Sequence, residues 1–229
     1  VSHLHIPDGV LPAWLWAPGL AIAVLALLAS AWLAPRRTPQ QVAYQGAIGA
    51  LALAAMAVQI PLGLFDYHLT LAGPVGVLLG AAGAFQVMFV ASAILAFVGH
   101  GGLTVIGLNA LLLGAASTIA RPIYAVAIRG GRSPGVAIAI ATAVGQTISG
   151  GLWLAIVSVA IRSPMWSEPG EPGAQRVGLL TGIAVPMWLI GVAAESAVAF
   201  GIARFLGRVR PDLLPEAGRV SSIGVKSGE

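Results

Sequence analysis

The chain carries four histidines, and two of them, His3 and His5, lie in its opening run Val1-Ser2-His3-Leu4-His5-Ile6-Pro7-Asp8-Gly9. A terminal amine, nearby amide nitrogens and an imidazole together make an all-nitrogen donor set. Such a set favours a tetragonal or square-planar divalent ion late in the first transition row. Val1-Ser2-His3 offers one version: the Val1 amine, two amides and the His3 imidazole in one plane. His5 offers another, because the stiff Pro7 and the Asp8-Gly9 turn signal can fold the terminus back and bring amine and imidazole to one point. The competing reading is a frayed, solvated terminus with incidental histidines. Leu4 is a second candidate start, which would leave Met-His-Ile-Pro-Asp-Gly, and a terminus at Ser2 would imitate that short form.

The other two histidines also stand near the ends of apolar stretches. His68 lies in Leu64-Phe65-Asp66-Tyr67-His68-Leu69-Thr70, where Asp66 or Tyr67 would orient its imidazole from behind the metal. An interfacial histidine beside an aromatic-belt tyrosine is the alternative. His100-Gly101-Gly102-Leu103-Thr104, with Gly107 and Asn109, reads as a tight turn that permits close backbone approach. His100 and Asn109 are placed to hydrogen-bond a folded-in terminal segment, and the alternative is a purely structural turn. Asp8, Asp66, His100 and Asn109 are thus the expected supports around the ligands. Glu195 stands nine residues before Arg204, on the order of 13 Å along a helix. A carboxylate at that depth is expensive and marks a functional candidate. Its expected role is a structural polar cluster with Gln146, Thr147 or Asn109, because the metal donors gather at the other face. Arg121, beside Pro122, is expected to snorkel.

Positioning these groups falls to elements that must face lipid. Apolar residues make up 58% and charged residues 9% of 229, against about 25% charged in a soluble domain. One membrane domain accounts for the length. The net charge of +4 reads as topology signal beside spans rather than as a nucleic-acid surface. With no cysteine, disulfides and thiolate metal sites are excluded. The first ten residues lack a basic stretch followed by an apolar one, so no cleaved signal peptide is expected. No H-E-x-x-H, P-loop, nucleotide fingerprint or nucleophile elbow occurs, so energised transport would need other subunits.

Spans are expected at roughly 10–34, 45–65, 84–99, 104–126, 134–160 and 178–206, each near the length that about 30 Å of hydrocarbon requires. The apolar segment Leu69–Ala82 is short and contains Pro74. Arg36 and Arg37 follow the first span, while Arg204, Arg208 and Arg210 end the last; both clusters should be cytoplasmic. An even number of crossings must separate them, so the short segment counts as a crossing. The fold class is therefore an all-α integral membrane protein of about seven transmembrane helices, one short, with the N-terminus outside and the C-terminus inside. All four histidines then share the outer face. Two small-residue stripes, Gly46/Ala50/Ala54 and Ala26/Ser30/Ala34, suit close helix packing, internal in first preference and toward a partner in second. The parts are a metal-capturing loop over 1–9, a helical membrane domain over 10–206 and a disordered cytoplasmic tail over 207–229.

These residues resemble the CbiM/NikM family, the substrate-capturing membrane subunit (S component) of cobalt and nickel energy-coupling-factor transporters. His5-Ile6-Pro7-Asp8-Gly9 with Leu11-Pro12 is similar to the family's N-terminal opening. His100-Gly101-Gly102-Leu103-Thr104 with Gly107 and Asn109 is similar to its His-Gly-Gly-x-Thr-x-x-Gly-x-Asn block; Leu189-Ile190-Gly191 through Glu195 and Arg210-Pro211-Asp212-Leu213 match more loosely. The resemblance implies seven helices and a terminal loop inserted into the bundle. It also implies a square-planar ion held by the terminal amine, the second residue's amide and imidazole, and a histidine after the second span. Carried over by position, the imidazoles are His5 and His68, and Leu4 matches the initiator methionine. If Val1, Ser2 and His3 remain in the mature chain, the amine cannot come from Leu4, and Val1 with His3 becomes the alternative. Before His68 the family has a small Gly-Thr-Ser-Gly run where this chain has Leu64-Phe65-Asp66-Tyr67. A histidine near the start of the family's last helix is Met187 or Trp188 here.

The expected cargo is Ni²⁺ or Co²⁺, carried as a substrate with no catalytic cofactor, and the amide-rich donor set leans toward nickel. Expected partners are the lipid bilayer, a membrane scaffold (T) subunit and two cytoplasmic ATPase (A) subunits, with room for a small accessory membrane subunit. No nucleic-acid partner is expected. The location is the cytoplasmic membrane of a prokaryote. Capture by deprotonated ligands should weaken as pH falls through the imidazole range. Two rivals stand: an intramembrane metalloenzyme using His68, His100 and Glu195, and a structural or assembly subunit without a substrate.

Overall fold

The computed structural model describes residues 6–34, 36–58, 60–62, 65–163 and 173–215. Among these, six helices carry the fold: α1 (Ala13–Leu33), α2 (Pro39–Ala57), α3 (Ala72–Phe97), α4 (Ile106–Arg129), α5 (Pro134–Ile161) and α6 (Gly173–Val209). A two-stranded antiparallel hairpin, β1 (Ile60–Leu62) with β2 (Phe65–Tyr67), separates α2 from α3. All the helices except α2 are long and apolar enough to cross a membrane, with α6 counted from Val177. The chain is a multi-pass membrane protein.

Local chemistry sets several boundaries. Thr38 and Gln41 cap α2 reciprocally, each side chain accepting from the other's backbone N–H, with Pro39 in the first turn. The expected span over 45–65 starts earlier and stops at Ala57, and its last third becomes the hairpin. Pro61 explains this: it lacks an N–H to continue the helix and pushes the residue before it toward extended backbone. Small residues line the interior, among them Ala23, Ala116, Ala137 and Ala199, while Leu25, Trp32, Phe97 and Phe205 point outward. That inversion is the mark of helices packing in lipid. The Ala26/Ser30/Ala34 stripe lies on the packed side of α1, with Ser30 buried. Gly46, Ala50 and Ala54 instead face away from the bundle; α2 meets α3 through Gly49 against Val87.

The expected segments 69–82 and 84–99 are the two limbs of α3, joined at Gly80. Gly80 has φ 72° and ψ 174°, a backbone region essentially confined to glycine. The neighbours show that the second limb runs back. Gly76 abuts Ser117 and Ala120 of α4, Gly80 abuts Arg121, and then Phe85 packs on Gly114. A straight helix of this length would separate its ends by about 39 Å. Instead the ring of His68, four residues before α3, lies 5.1 Å from that of His100, three residues after it.

Arginines mark one end of the bundle. Arg37 donates to Gln86 Oε1 (3.0 Å), which Gln45 also reaches (3.0 Å). Arg204 lies over the Phe200 ring at 5.7 Å, beside Gly135 at the start of α5. Beyond residue 206, α6 runs to Val209, a 3₁₀ turn spans Pro211–Leu213, and Leu214 is buried. Residues 216–229 lie outside the described residues. The opposite end of the bundle carries the terminal segment and the two histidines.

Candidate metal centre

The terminal segment is docked by two sets of bonds. Ile6 N–H donates to Asn109 Oδ1 (2.8 Å), and Asn109 Nδ2 donates back to the Ile6 carbonyl (3.1 Å). Asn109, buried in the first turn of α4, therefore pairs with both backbone groups of Ile6 much as a neighbouring strand would. The Ile6 side chain fills a core with Leu11, Val105, Leu108, Leu112 and Val157. Just beneath, α1 and α4 cross closely: a Cβ on Gly107 would lie 2.3 Å from Leu20 Cα.

Two residues on, the Asp8 carboxylate accepts from the amides of Leu103 (2.8 Å) and Thr104 (2.9 Å) and from the Thr104 hydroxyl. Gly9, at φ 80°, completes the turn. Gly102 makes room for the latch, because a Cβ there would lie 2.5 Å from both Asp8 N and Oδ1. The Thr104 hydroxyl, with the two amides assisting against partial desolvation, holds the Asp8 carboxyl below its ordinary 3.8. A lowered carboxyl stabilises the docked form above its free value, and that contribution disappears as pH falls through the lowered value. The latch is therefore intact throughout neutral and mildly acidic conditions and opens only in strong acid. Asp8→Asn should open it at every pH, raising amide exchange at Leu103 and Thr104 about fivefold, the roughly 1 kcal/mol expected of an exposed charge-assisted contact. Hydrogen exchange between pH 7 and 3 checks both statements; exchange at those amides unchanged by the substitution would refute them.

His68 is buried between β2 and α3, its ring edge-on to His100 at 70°. His100 sits between Gly99 and Gly101, both at positive φ, and its N–H returns to the Leu95 carbonyl (2.7 Å). Those two glycines let the chain leave α3 and enter the turn that Asp8 grips. Asp66 lies on β2 in register with Pro61, and Tyr67 with Ile60. Val1, His3, Leu4 and His5 lie outside the described residues. Among the described residues, no three His, Asp or Glu come together as a metal-holding group. His68 and His100 are the imidazoles brought together here.

Glu195 joins a buried polar cluster, as expected, but the cluster lies two residues from His68 rather than at the face away from the histidines. The two Glu195 oxygens accept from the amides of Thr70 and Leu71 (3.2 Å for Leu71), at the N-terminus of the first α3 limb. Thr70 Oγ1 accepts from Gln146 Nε2 (2.8 Å) and from the Ala72 amide (3.3 Å), and the Gln146 carbonyl accepts from Trp188 Nε1 (3.2 Å). Of the expected cluster partners, Gln146 belongs to this network. Asn109 is committed to Ile6, and Thr147 is exposed and bonded to its own helix at Ala143. A carboxylate engaged with two amides at a helix N-terminus is not a general base beside His68 and His100. That removes the geometry an intramembrane metalloenzyme would need. Sequence reasoning missed Thr70 and Leu71. Thr70 had one signal, as a serine-threonine turn residue just before a helix, and Leu71 had none.

The sequence of the family described as the cobalt uptake substrate-specific transmembrane region matches residues 5–213 of this chain. The chain belongs to that CbiM family. It is 25% identical to the cobalt transport protein CbiM of Geobacter sulfurreducens over 231 aligned residues, covering 98% of this chain. The chain spans 65% of the length of that relative. In three dimensions the CbiM-family fold here is similar to the crystal structure of a transition metal transporter, with a TM-score of 0.77 and 19% identity over 90% of this chain and 93% of the other. A truncated transition metal transporter is similar as well, at a TM-score of 0.74 and 19% identity over 92% of this chain and all of the other. Both likenesses concern the fold.

Proposed function

We propose that this chain is the substrate-binding membrane component of an energy-coupling-factor importer, capturing Ni²⁺ or Co²⁺ as cargo and performing no chemistry beyond ligand exchange. The observation that carries the reading is the clamp of Asn109 on Ile6. It fixes the chain one residue after His5, at the end of the bundle where His68 meets His100. The donors would be His68 and His5 with the terminal amine, from Leu4 if the mature chain starts there, with Val1 and His3 as the alternative. Asp8, Asn109, His100 and Asp66 would support them. The family's description names cobalt, whereas amide-rich donors lean toward nickel. Counting both limbs of α3, the chain would cross the membrane of a prokaryote seven times, with the histidines outside and the arginine end in the cytoplasm. A scaffold subunit and two ATPases would supply the energy.

The test is metal binding by the purified full chain, with its terminus defined by intact mass. Four-ligand zinc sites bind with about 10–16 kcal/mol, near 3 kcal/mol per donor, so His68→Ala should weaken nickel and cobalt binding about 100-fold or more. Competition between the two ions in the same experiment identifies the preferred cargo. Unchanged affinity in a folded His68→Ala protein would overturn the assignment, as would a folded wild type that binds neither ion.

A further inference from the structure

We infer that Glu195 is a positioning residue for the metal site: it sets the place of the His68 imidazole through the backbone of Thr70 and Leu71, without touching the ion. This rests on the capture reading above. Residues 70 and 71 are the link between His68 and the first limb of α3. Leu71 is at φ 53°, ψ 21°, a left-handed conformation that leucine adopts only when its surroundings impose it. Consecutive amides beside a left-handed residue form a concavity for an anion, and here the protein fills it with its own carboxylate. The attraction of a helix N-terminus for negative charge adds to the two charge-assisted bonds.

From the other side, Gln146 on α5 donates to the Thr70 hydroxyl, so the link is held between α5 and α6. At the far end of the same limb, the Arg121 guanidinium packs against Gly80. The eight-residue limb thus has an anion at its positive end and a cation at its negative end. It is restrained along its axis, and His68 is two residues from the restrained end. Both Glu195 oxygens accept from backbone amides of the link, so the carboxylate acts on the link's position directly.

The experiment compares wild type, Glu195→Gln, Gln146→Leu and Ser196→Ala as full chains in detergent. It measures nickel affinity by equilibrium dialysis and the ligand-field absorption of the bound ion at saturation. Glu195→Gln turns one acceptor into a donor facing an amide, and should weaken nickel binding about 10–100-fold, as for other outer supports of metal ligands. The absorption bands should move, because the imidazole meets the ion at a changed angle. Gln146→Leu should shift them in the same sense with about tenfold weaker binding. Ser196→Ala, which removes from the same helix a buried hydroxyl with no hydrogen-bond partner among the described residues, should match wild type. A folded Glu195→Gln protein with the wild-type spectrum at saturation overturns the inference, even if it is less stable. If Glu195→Gln does not fold, Gln146→Leu decides by the same criterion. Wild type binding neither ion, or His68→Ala binding like wild type, overturns the capture reading and this one with it.

Discussion

Replacing Asn109 by Leu should release the terminal segment and cut nickel or cobalt capture about 30-fold or more in a protein that still folds. The side chains are similar in size, so the core around α4 keeps its volume. The change lies in the Ile6 backbone, whose N–H and carbonyl both lose their partner while Ile6 stays buried. Each buried polar group left unpaired costs about 1–3 kcal/mol, so the docked form loses about 2–6 kcal/mol. Undocking lets water satisfy both groups, at the expense of the apolar burial of the Ile6 side chain. Proteolysis of the first residues and metal titration of the same sample give the two readouts. Protection at Ile6 unchanged from wild type would mean that Asp8 and the Ile6 side chain suffice without the clamp.

Gly76→Ala should be the most damaging single methyl in the first limb of α3. A Cβ there would lie 1.9 Å from the Ser117 carbonyl oxygen and 2.8 Å from Ala120 Cβ, and a carbonyl cannot rotate out of the way. The limb must lift off α4, at a cost of about 1–3 kcal/mol or more for overpacking. It also draws Thr70 and Leu71 away from Glu195. The helical preference for alanine over glycine, worth up to about 1 kcal/mol, has the opposite sign and is too small to compensate. Gly46→Ala isolates that preference, since none of the described residues lies within 4 Å of a Cβ there. The thermal half-loss of the monodisperse protein should fall by several degrees for Gly76→Ala and stay level or rise for Gly46→Ala. Equal behaviour of the two would show that α3 and α4 are not locked at that crossing.

Much of this architecture follows from short stretches read locally. The order His-Ile-Pro-Asp-Gly at the start and His-Gly-Gly-x-Thr-x-x-Gly-x-Asn a hundred residues later contains both halves of the docking contact: Ile6 with Asn109, and Asp8 with Leu103 and Thr104. Arginine clusters likewise marked one end of the bundle. Pairings between distant residues with no pattern of their own were not legible. Glu195 and Thr70 are 125 positions apart, and neither predicts the other. Gly80 stands in a run with Gly76 and Gly83, each usable for close packing, and only the backbone shows which of them breaks the helix. The hairpin after α2 was hidden because Ile60, Leu62 and Phe65 extend an apolar run that suits a helix equally well. In that run Pro61 was the sole breaker between Ala57 and Leu62, and its weight was underestimated.

The clamp on Ile6 grips that residue's backbone N–H and carbonyl, which every residue type except proline would present in the same way. What it fixes is therefore register. His5, one residue upstream, has its Cα about 3.8 Å from that of Ile6 whatever precedes it. The chain end has no such constraint. Each residue added ahead of His5 would move the amine up to about 3.5 Å farther while the hydrogen bonds between Ile6 and Asn109 keep their partners. Docking and donor identity are thereby separate properties of one short peptide. A change of start codon could retune the cargo while Ile6 keeps Asn109 and Asp8 keeps Leu103 and Thr104.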